Sequence, residues 1–236
     1  MSSYFDKAKW SQILQKPNWP SLIYPEIERF KKETSQKGER ELCEFKNDLR
    51  IFIGEKIENR EIFLVGEGPD RDRWRKPIDT VVIHHTQRSP GYTWQRLSVV
   101  QLLNIYVPVF ATDPIKRKEP IYSHHFREGS QVFYAYHWLV RMDGSAERLL
   151  EDHQIGWHAG VWKINCRSIG ICLDNNYMNS SPSKGVIESV AELINRNYPK
   201  IKKKRIFGHR EVNLKVTCPG DEFLPCWKKD LLSYLG

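Results

Sequence analysis

From residue 80 onwards, short apolar strand signals alternate with helix signals, and this order limits the folds that the chain can adopt. Strands are predicted at residues 80–83, 136–141, 168–173 and 205–209, and helices at residues 93–103, 184–197 and 227–235. The pair Asp143-Gly144 is a turn signal that predicts a returning strand after residue 141. This alternation predicts an α/β fold in which a mixed central β-sheet is flanked by helices.

Residues 1–76 differ in character from the rest of the chain and are predicted to form a helical N-terminal extension. They are rich in Lys, Glu and Arg, and apolar residues such as Leu42 and Phe45 recur at helical spacing. This pattern predicts two or three amphipathic helices. A stretch rich in Gly, Pro, Asp and Arg at residues 66–77 then interrupts the chain. We therefore predict a second domain that comprises residues 77–236.

The segment of residues 105–132 fits neither helical nor strand periodicity and contains Pro108, Pro114 and Pro120. Loops of this length are uncommon inside compact domains and are often functional. The sequence predicts a long connection here.

Composition indicates a folded chain that does not span a membrane. Of the 236 residues, 40% are hydrophobic and 12% are aromatic, which is enough apolar material for a substantial core. The N-terminus has no basic stretch followed by an apolar core, and no later apolar run is long enough to cross a membrane. We therefore expect a protein that is cytoplasmic at synthesis. The formal net charge of +8 favours polyanionic partners in general, such as nucleic acid, anionic lipid or the bacterial wall.

Four of the eight histidines, His84, His85, His137 and His209, end or adjoin predicted strands, where binding sites are often assembled. His209 and Cys218 lie nine positions apart across one predicted loop, which is close enough for both to bind one ion. A third ligand must then come from elsewhere in the chain. The five cysteines have irregular spacings that do not suggest a disulfide framework, so one of them is available as a metal ligand.

Two imidazoles and one thiolate form a ligand set that suits zinc. Three protein ligands leave the fourth tetrahedral position to water, as in catalytic zinc sites. Zn²⁺ with one thiolate keeps a net positive charge, which lowers the pKa of the water to about 7. A structural site would be closed by a fourth ligand, and the sequence has no CxxC pair that closes one. Spacing alone leaves open the alternative of structural histidines and a buried, inert cysteine.

Six motifs occur in the order that one enzyme family shows: VVIHHT (81–86), YHWLVRMDG (136–144), GWHAG (156–160), RSIGICLD (167–174), GHREV (208–212) and TCPG (217–220). On these motifs the chain resembles the zinc-dependent N-acetylmuramoyl-L-alanine amidases, a family that includes bacteriophage lysozyme-type amidases and peptidoglycan recognition proteins. The resemblance spans residues 78–236 and does not reach the N-terminal extension. It implies the family's mixed sheet flanked by helices and one bound Zn²⁺.

Matched residue by residue, the resemblance implies a metal site with three protein ligands. His84, the first histidine of the HHT motif, and His209 of GHREV correspond to two of the family's zinc ligands. Cys218 of TCPG corresponds to the third. A related cytosolic branch that recycles wall fragments has Asp at this third position and Glu at the position of Cys172. Both differences place this sequence nearer to the lysozyme-type amidases.

The same resemblance assigns residues to catalysis and to substrate binding. Tyr136 matches the family tyrosine whose hydroxyl positions the attacking water. His158 of GWHAG falls where relatives line the substrate groove, and His85, next to the first ligand, is assigned to the substrate as well.

The oxyanion donor is the main departure from the family pattern. The separation of His209 and Cys218 is one residue longer than in most relatives, so the donor position holds Val216, whose side chain cannot donate. Lys215 and Thr217 flank this position. We favour Lys215, because a cation stabilises a developing alkoxide more than a neutral hydroxyl does.

The resemblance implies hydrolysis of the amide that joins N-acetylmuramic acid to L-alanine in bacterial peptidoglycan. A non-catalytic peptidoglycan-binding protein and a cytosolic amidase of recycled muropeptides stay open as alternatives. A nucleic-acid-binding protein is supported only by the net charge and the basic run at residues 200–205. We expect no nucleic-acid partner, because the run between Pro199 and an apolar pair is typical of a solvated turn before a strand. A lytic enzyme of this kind acts on the wall after release, with the help of a separate membrane-permeabilising protein.

Overall fold

The structure is a computed structural model that describes residues 5–36, 38–87, 99, 102–133 and 136–236. Contacts between residues divide the chain into two compact units, the first with residues 1–70 and 94–133 and the second with residues 71–93 and 134–236. The predicted domain boundary at residues 76 and 77 stays a prediction. The predicted helix at residues 93–103 lies mostly outside the described residues.

Three helices open the first unit: α1 (Lys7–Leu14), α2 (Trp19–Ser35) and α3 (Glu39–Glu58). The side chain of Asp6 caps α1 by accepting a hydrogen bond from the backbone N–H of Lys9. Buried aromatic and aliphatic side chains such as Trp19 and Phe45 form a core shared by the three helices. The prediction of helices in the N-terminal region is therefore confirmed.

The rest of the first unit consists of short elements. A π-helical turn (Leu102–Tyr106) leads into α4 (Val107–Thr112), which packs against α2. A two-stranded hairpin follows, with β2 (Phe126–Arg127) and β3 (Ser130–Gln131). Residues 105–132 therefore contain local structure that their periodicity did not indicate. No helix in the described ranges is both long and apolar enough to cross a membrane.

A five-stranded sheet organises the second unit, and its strands are β1 (Thr80–His85), β4 (Trp138–Val140), β5 (Ala146–Arg148), β6 (Ser168–Leu173) and β7 (Ile206–Gly208). Their order in the sheet is β5-β4-β6-β1-β7. β1 pairs in parallel with β6 and β7, β4 pairs in parallel with β6, and β4 and β5 form an antiparallel hairpin. The flanking helices are α5 (Trp162–Asn165), α6 (Lys184–Asn197), α7 (His209–Val212) and α8 (Lys228–Ser233). The predicted mixed sheet flanked by helices is confirmed.

The two faces of this sheet differ because successive side chains of a strand point to opposite sides. Ile83 of β1 and Ile171 of β6 belong to the face that packs, with the buried side chains of α6 and α8, into the main apolar core. His84, Ser168 and Gly170 lie on the alternate positions and belong to the other face. That second face carries the polar residues described below.

Candidate metal centre and active site

His84, His209 and Cys218 meet at the carboxyl ends of two neighbouring strands. His84 is the penultimate residue of β1, and His209 opens α7 directly after β7. One ligand atom of each residue lies within 4.8 Å of the other two. Cys218 Sγ is 3.8 Å from His84 Nδ1, and the ring centroids of His84 and His209 are 4.6 Å apart. The fold thus brings together the three residues that the resemblance implied as ligands.

The chemistry of these three residues fits a zinc ion. His209 Nε2 is buried and has no hydrogen-bond partner among the described residues, although buried polar atoms are nearly always satisfied. Burial lowers the pKa of His84 well below its usual value and also lowers the pKa of His209, so both imidazoles are neutral at pH 7. Burial raises the pKa of the Cys218 thiol to about 12, so its thiolate form requires a nearby cation. Neutral imidazoles and a thiolate are the ligand forms that zinc takes.

A chain of hydrogen bonds behind His84 determines which of its ring nitrogens carries the proton. The carbonyl oxygen of Ile164 can only accept, so the Ser168 hydroxyl, 2.7 Å away, donates to it. Ser168 Oγ then accepts from Nε2–H of His158 at 3.0 Å. His158 Nδ1 consequently accepts from Nε2–H of His84, also at 3.0 Å. His84 Nδ1 is therefore left unprotonated on the side that faces Cys218.

His158 lies behind His84 and differs in position from the expected site on a substrate groove. Its side chain is buried, and both ring nitrogens are engaged by other residues. The ring passes so close to Gly170 that a Cβ there would lie 2.8 Å from it. Burial lowers the pKa of His158 well below its usual value and keeps the ring neutral. The geometry therefore favours a role in orienting His84.

His85, the second residue expected to contact substrate, also points inward. Only 4% of its surface is exposed, and its Nδ1 accepts a hydrogen bond from the backbone N–H of Tyr177 at 2.9 Å. Its own backbone N–H donates to Cys218 Sγ at 3.4 Å. Burial lowers the pKa of the His85 ring to about 4. A donated N–H favours the charged form of a thiol, so the backbone of His85 supports a Cys218 thiolate.

Tyr136 lies beside His84, with their ring centroids 4.9 Å apart. Its hydroxyl is near enough to the thiol of Cys172 to lower the pKa of that thiol, and Cys172 stands opposite His84 in the pairing of β1 with β6. Burial raises the pKa of Cys172 well above its usual value, so this thiol is neutral at pH 7. Cys172, whose position distinguishes two branches of the family in sequence, is therefore also a neighbour of Tyr136.

The two candidate oxyanion donors lie on the loop between α7 and Cys218. Asn213 shapes this loop, because its Oδ1 accepts from the backbone N–H of Lys215 and its Nδ2 donates to the Ala159 carbonyl. The side chain of Lys215 is exposed. The Thr217 hydroxyl is 3.6 Å from the sulfur of Met178, which is a weak acceptor.

Several residues that hold the site together could not be assigned a role from the sequence. His137 Nδ1 accepts from the backbone N–H of Gly170 at 3.1 Å, and its Nε2 donates to the Gln154 carbonyl at 3.0 Å. Burial lowers the pKa of His137 to about 3. Asn165 Oδ1 accepts from the backbone N–H groups of His158 and Ala159. The one signal available was that His137 follows Tyr136 at the start of a predicted strand.

Comparisons with known proteins bear on the family and the fold of the chain. The family described as N-acetylmuramoyl-L-alanine amidase (Amidase_2) matches residues 74–221, a range that contains His84, His209 and Cys218. A 1,6-anhydro-N-acetylmuramyl-L-alanine amidase, AmpD of Haemophilus influenzae, is 30% identical over 120 residues, which are 46% of this chain and 63% of that protein. The chain thus spans less than two thirds of this curated relative.

Solved structures with a similar fold include the N-acetylmuramoyl-L-alanine amidase LysC from Clostridium intestinale, with a TM-score of 0.43 and 17% identity. That match covers 68% of this chain and 86% of the other. The Drosophila peptidoglycan recognition protein SD matches with a TM-score of 0.38 and 21% identity, over 65% of this chain and 89% of the other. Since the family match covers more than half of the sequence, the chain belongs to the N-acetylmuramoyl-L-alanine amidase family.

Proposed function

We propose that this chain is a zinc-dependent hydrolase of the amide bond between N-acetylmuramic acid and L-alanine in peptidoglycan. One observation carries the proposal: a ring nitrogen of His84, a ring nitrogen of His209 and the sulfur of Cys218 converge at one edge of the sheet, within 4.8 Å of one another. Membership of the amidase family supports the same substrate bond.

Three ligands, His84, His209 and Cys218, would hold the ion. Bound zinc supplies Lewis acidity, which polarises the amide carbonyl and makes water a stronger nucleophile near neutral pH. Ser168 and His158 would keep the proton of His84 on Nε2, so that Nδ1 stays free to ligate. The backbone N–H of His85 would favour the thiolate of Cys218.

Tyr136 and Lys215 would act on the reacting atoms. The ring of Tyr136 lies beside that of His84, and its hydroxyl would orient the attacking water by a hydrogen bond. Lys215 follows the turn at Asn213 and would place its ammonium near the oxyanion that forms when the carbonyl is attacked. We favour Lys215 over Thr217, because the Thr217 hydroxyl already contacts Met178.

A digestion experiment tests this proposal. Purified chain is incubated with isolated sacculi in three conditions: as prepared, after treatment with a chelator, and after zinc is restored. New L-alanine amino termini are measured. We expect their release as prepared, its loss with the chelator and its return with zinc. If protein with one zinc per chain binds sacculi but releases no L-alanine termini, the chain is a peptidoglycan-binding protein and the proposal is wrong.

A second candidate substrate is the soluble muropeptide, because the curated relative AmpD is named as a 1,6-anhydro-N-acetylmuramyl-L-alanine amidase. The ligand Cys218 and the neutral thiol of Cys172 favour the polymer, since the recycling branch is expected to have Asp and Glu at these positions. Rates on sacculi and on a soluble anhydromuropeptide, measured side by side, separate the two. A kcat/KM at least tenfold higher on the soluble substrate would assign the chain to recycling.

A further inference from the structure

The net positive charge of the chain is concentrated at one edge of the second unit. β6, β1 and β7 lie side by side and start at this edge, and basic segments precede them at residues 162–167, 71–79 and 200–205, respectively. These segments, which we call the basic edge, contain eleven of the 37 basic residues and two of the 29 acidic residues of the chain. Their net charge of +9 exceeds the +8 of the whole chain.

The two acidic residues of the basic edge are both engaged. Asp79 accepts hydrogen bonds from Arg167 and from Arg205, so two guanidinium groups share one carboxylate. Asp72 Oδ1 accepts from the backbone N–H of Ile155 at 2.7 Å. By contrast, four exposed lysines form no ion pair with any residue that the structure describes: Lys200, Lys202, Lys203 and Lys204. These ammonium groups are available to an external anion.

Two partly exposed tryptophans lie at the same edge, and guanidinium groups stand over their rings. Arg71 is 5.3 Å from the ring centroid of Trp74 and 5.5 Å from that of Trp162, and Arg73 is 4.1 Å from that of Trp74. Single-stranded nucleic acids bind to aromatic faces that are open to stacking. Because guanidinium groups cover the two tryptophan rings, this surface presents positive charge where open aromatic faces would otherwise be. It therefore suits phosphate groups better than nucleobases.

The shape of the basic edge also argues against reading a duplex. Its segments form one 3-10 turn before β1 (Asp72–Trp74), one before β7 (Lys203–Arg205) and the four-residue α5. A protein that reads a DNA groove inserts a longer helix or a two-stranded ribbon. Short turns with flexible lysines fit a flexible chain of phosphates, which they attract by charge alone.

We propose that the basic edge binds a flexible phosphodiester-linked polymer of the bacterial wall. The site of His84, His209 and Cys218 lies at the carboxyl ends of β1 and β7, whereas the basic edge lies at their amino ends. A polymer held there leaves the site accessible. The choice of the wall as the source of the polymer rests on the proposed function, but the binding of a polyanion does not.

Co-sedimentation of the full chain with isolated walls tests this inference. The walls are used intact and after hydrofluoric acid, which cleaves phosphodiesters, has removed their polyanions. The test variant carries Lys200→Gln, Lys202→Gln, Lys203→Gln and Lys204→Gln. The control variant carries Lys32→Gln, Arg117→Gln, Lys118→Gln and Lys229→Gln, which lowers the net charge equally, from +8 to +4.

We expect the test variant to bind intact walls at least tenfold more weakly than the wild type. In the control variant, log K should decrease by less than half of its decrease in the test variant. The slope of log K against log salt concentration should become shallower by about two to four in the test variant. The reason is that each lysine bound to a phosphate contributes about one to this slope. Acid-treated walls should bind the wild type as weakly as intact walls bind the test variant.

Equal losses in both variants would overturn the inference, as would full binding to acid-treated walls or tighter binding to duplex DNA than to intact walls. The rate of amide hydrolysis on a soluble muropeptide is measured in the same preparations. We expect the wild-type rate in the test variant. If no preparation hydrolyses the muropeptide or the sacculi, the proposed function fails, while the binding result still decides the inference.

Discussion

His84 can ligate a metal through Nδ1 only while that nitrogen carries no proton, and the proton is placed by residues that do not touch the metal site. A series of hydrogen bonds runs from the Ile164 carbonyl through Ser168 and His158 to His84 Nε2. Each step follows from which atoms can donate and which can only accept. The buried hydroxyl of Ser168, ten positions along the chain from His158, thus determines the tautomer of His84, a proposed ligand on another strand.

Replacing Ser168 with Ala tests this arrangement. Without the hydroxyl, His158 loses its acceptor at Nε2 and the tautomer of His84 is no longer fixed. We expect zinc affinity to fall about 10- to 100-fold, as it does when outer partners of metal ligands are removed. Competition with a chromophoric chelator measures this. The control is Ser183→Ala, which removes the cap of α6 and should cost about 1 kcal/mol of stability without changing zinc affinity. Wild-type zinc affinity in Ser168→Ala would contradict the derived tautomer.

Tyr136→Phe separates metal binding from turnover. The ring still fits beside His84, so zinc content should match the wild type, but kcat should fall about 100-fold or more because the variant lacks the hydroxyl that we propose to orient water. Tyr234→Phe, which removes a hydroxyl at the surface, is the control and should have no effect. A kcat within about twofold of the wild type would remove Tyr136 from the mechanism.

Among the strands, β6 lets the His158 ring reach His84, because Gly170 of this strand has no side chain. A Cβ at Gly170 would lie 2.8 Å from the His158 ring, so Gly170→Ala should displace the ring from His84. We expect weaker zinc binding and a lower melting temperature. Gly185→Ala in α6, where nothing lies within 4 Å of the added carbon, should be neutral or stabilising by up to about 1 kcal/mol. Equal zinc affinity in both variants would show that the close contact does not position His158.

Elements with strong local signals could be predicted from the sequence to the residue. α6 lies between the capping Ser183 and Pro199, and β6 is a short buried apolar run. Elements of four residues could not be predicted, because periodicity needs several turns to appear. His209 was expected at the end of a strand but opens α7, where Gly208 N–H donates to Glu211 Oε2 at 2.7 Å.

The clustering of His84, His209 and Cys218 could be predicted from the sequence, but the residues that support these three side chains could not. The roles of Ser168, Gly170 and Asn165 depend on the loop before α5 folding back over β6, which is a tertiary feature. The burial of His158 is also a tertiary feature. Its motif indicated that the residue belongs to the site but not that its side chain is buried.

At the scale of the whole molecule, buried histidines make stability depend on pH. Burial lowers the pKa of His137 to about 3 and that of His85 to about 4, compared with about 6.5 in an unfolded chain. As the pH falls from 6.5 towards 4, the unfolded chain therefore binds more protons than the folded chain, and the free energy of unfolding decreases.

Between pH 6.5 and pH 4, each of these two histidines can lower the free energy of unfolding by up to about 1.4 kcal/mol per pH unit. We expect the urea midpoint of the metal-free chain to decrease from pH 7 to pH 6 and further at pH 5. Above pH 7 the two residues are neutral in both states and should contribute no slope. A midpoint that stays constant or rises between pH 7 and pH 5 would contradict the burial of these rings.

The division of the chain into two units is also a property of the whole molecule, and the periodicity of the sequence could not reveal it. The core of the first unit contains Leu102, Val107 and Phe110 from the middle of the chain together with aromatic residues of the N-terminal helices. Sequence spacing identifies a buried face but not the element that covers it. The segment of residues 105–132, interrupted by three prolines, gave no regular face at all.

Zinc content and amide hydrolysis, measured together in the wild type and in Cys218→Ala, decide whether the chain is a zinc-dependent amidase. We expect one zinc per wild-type chain and release of L-alanine amino termini from peptidoglycan. The Cys218→Ala protein should be folded, should retain less than a tenth of the zinc after dialysis and should have no measurable hydrolysis. A folded Cys218→Ala protein that keeps one zinc per chain, or one that hydrolyses peptidoglycan at the wild-type rate, would contradict the proposed ligand set.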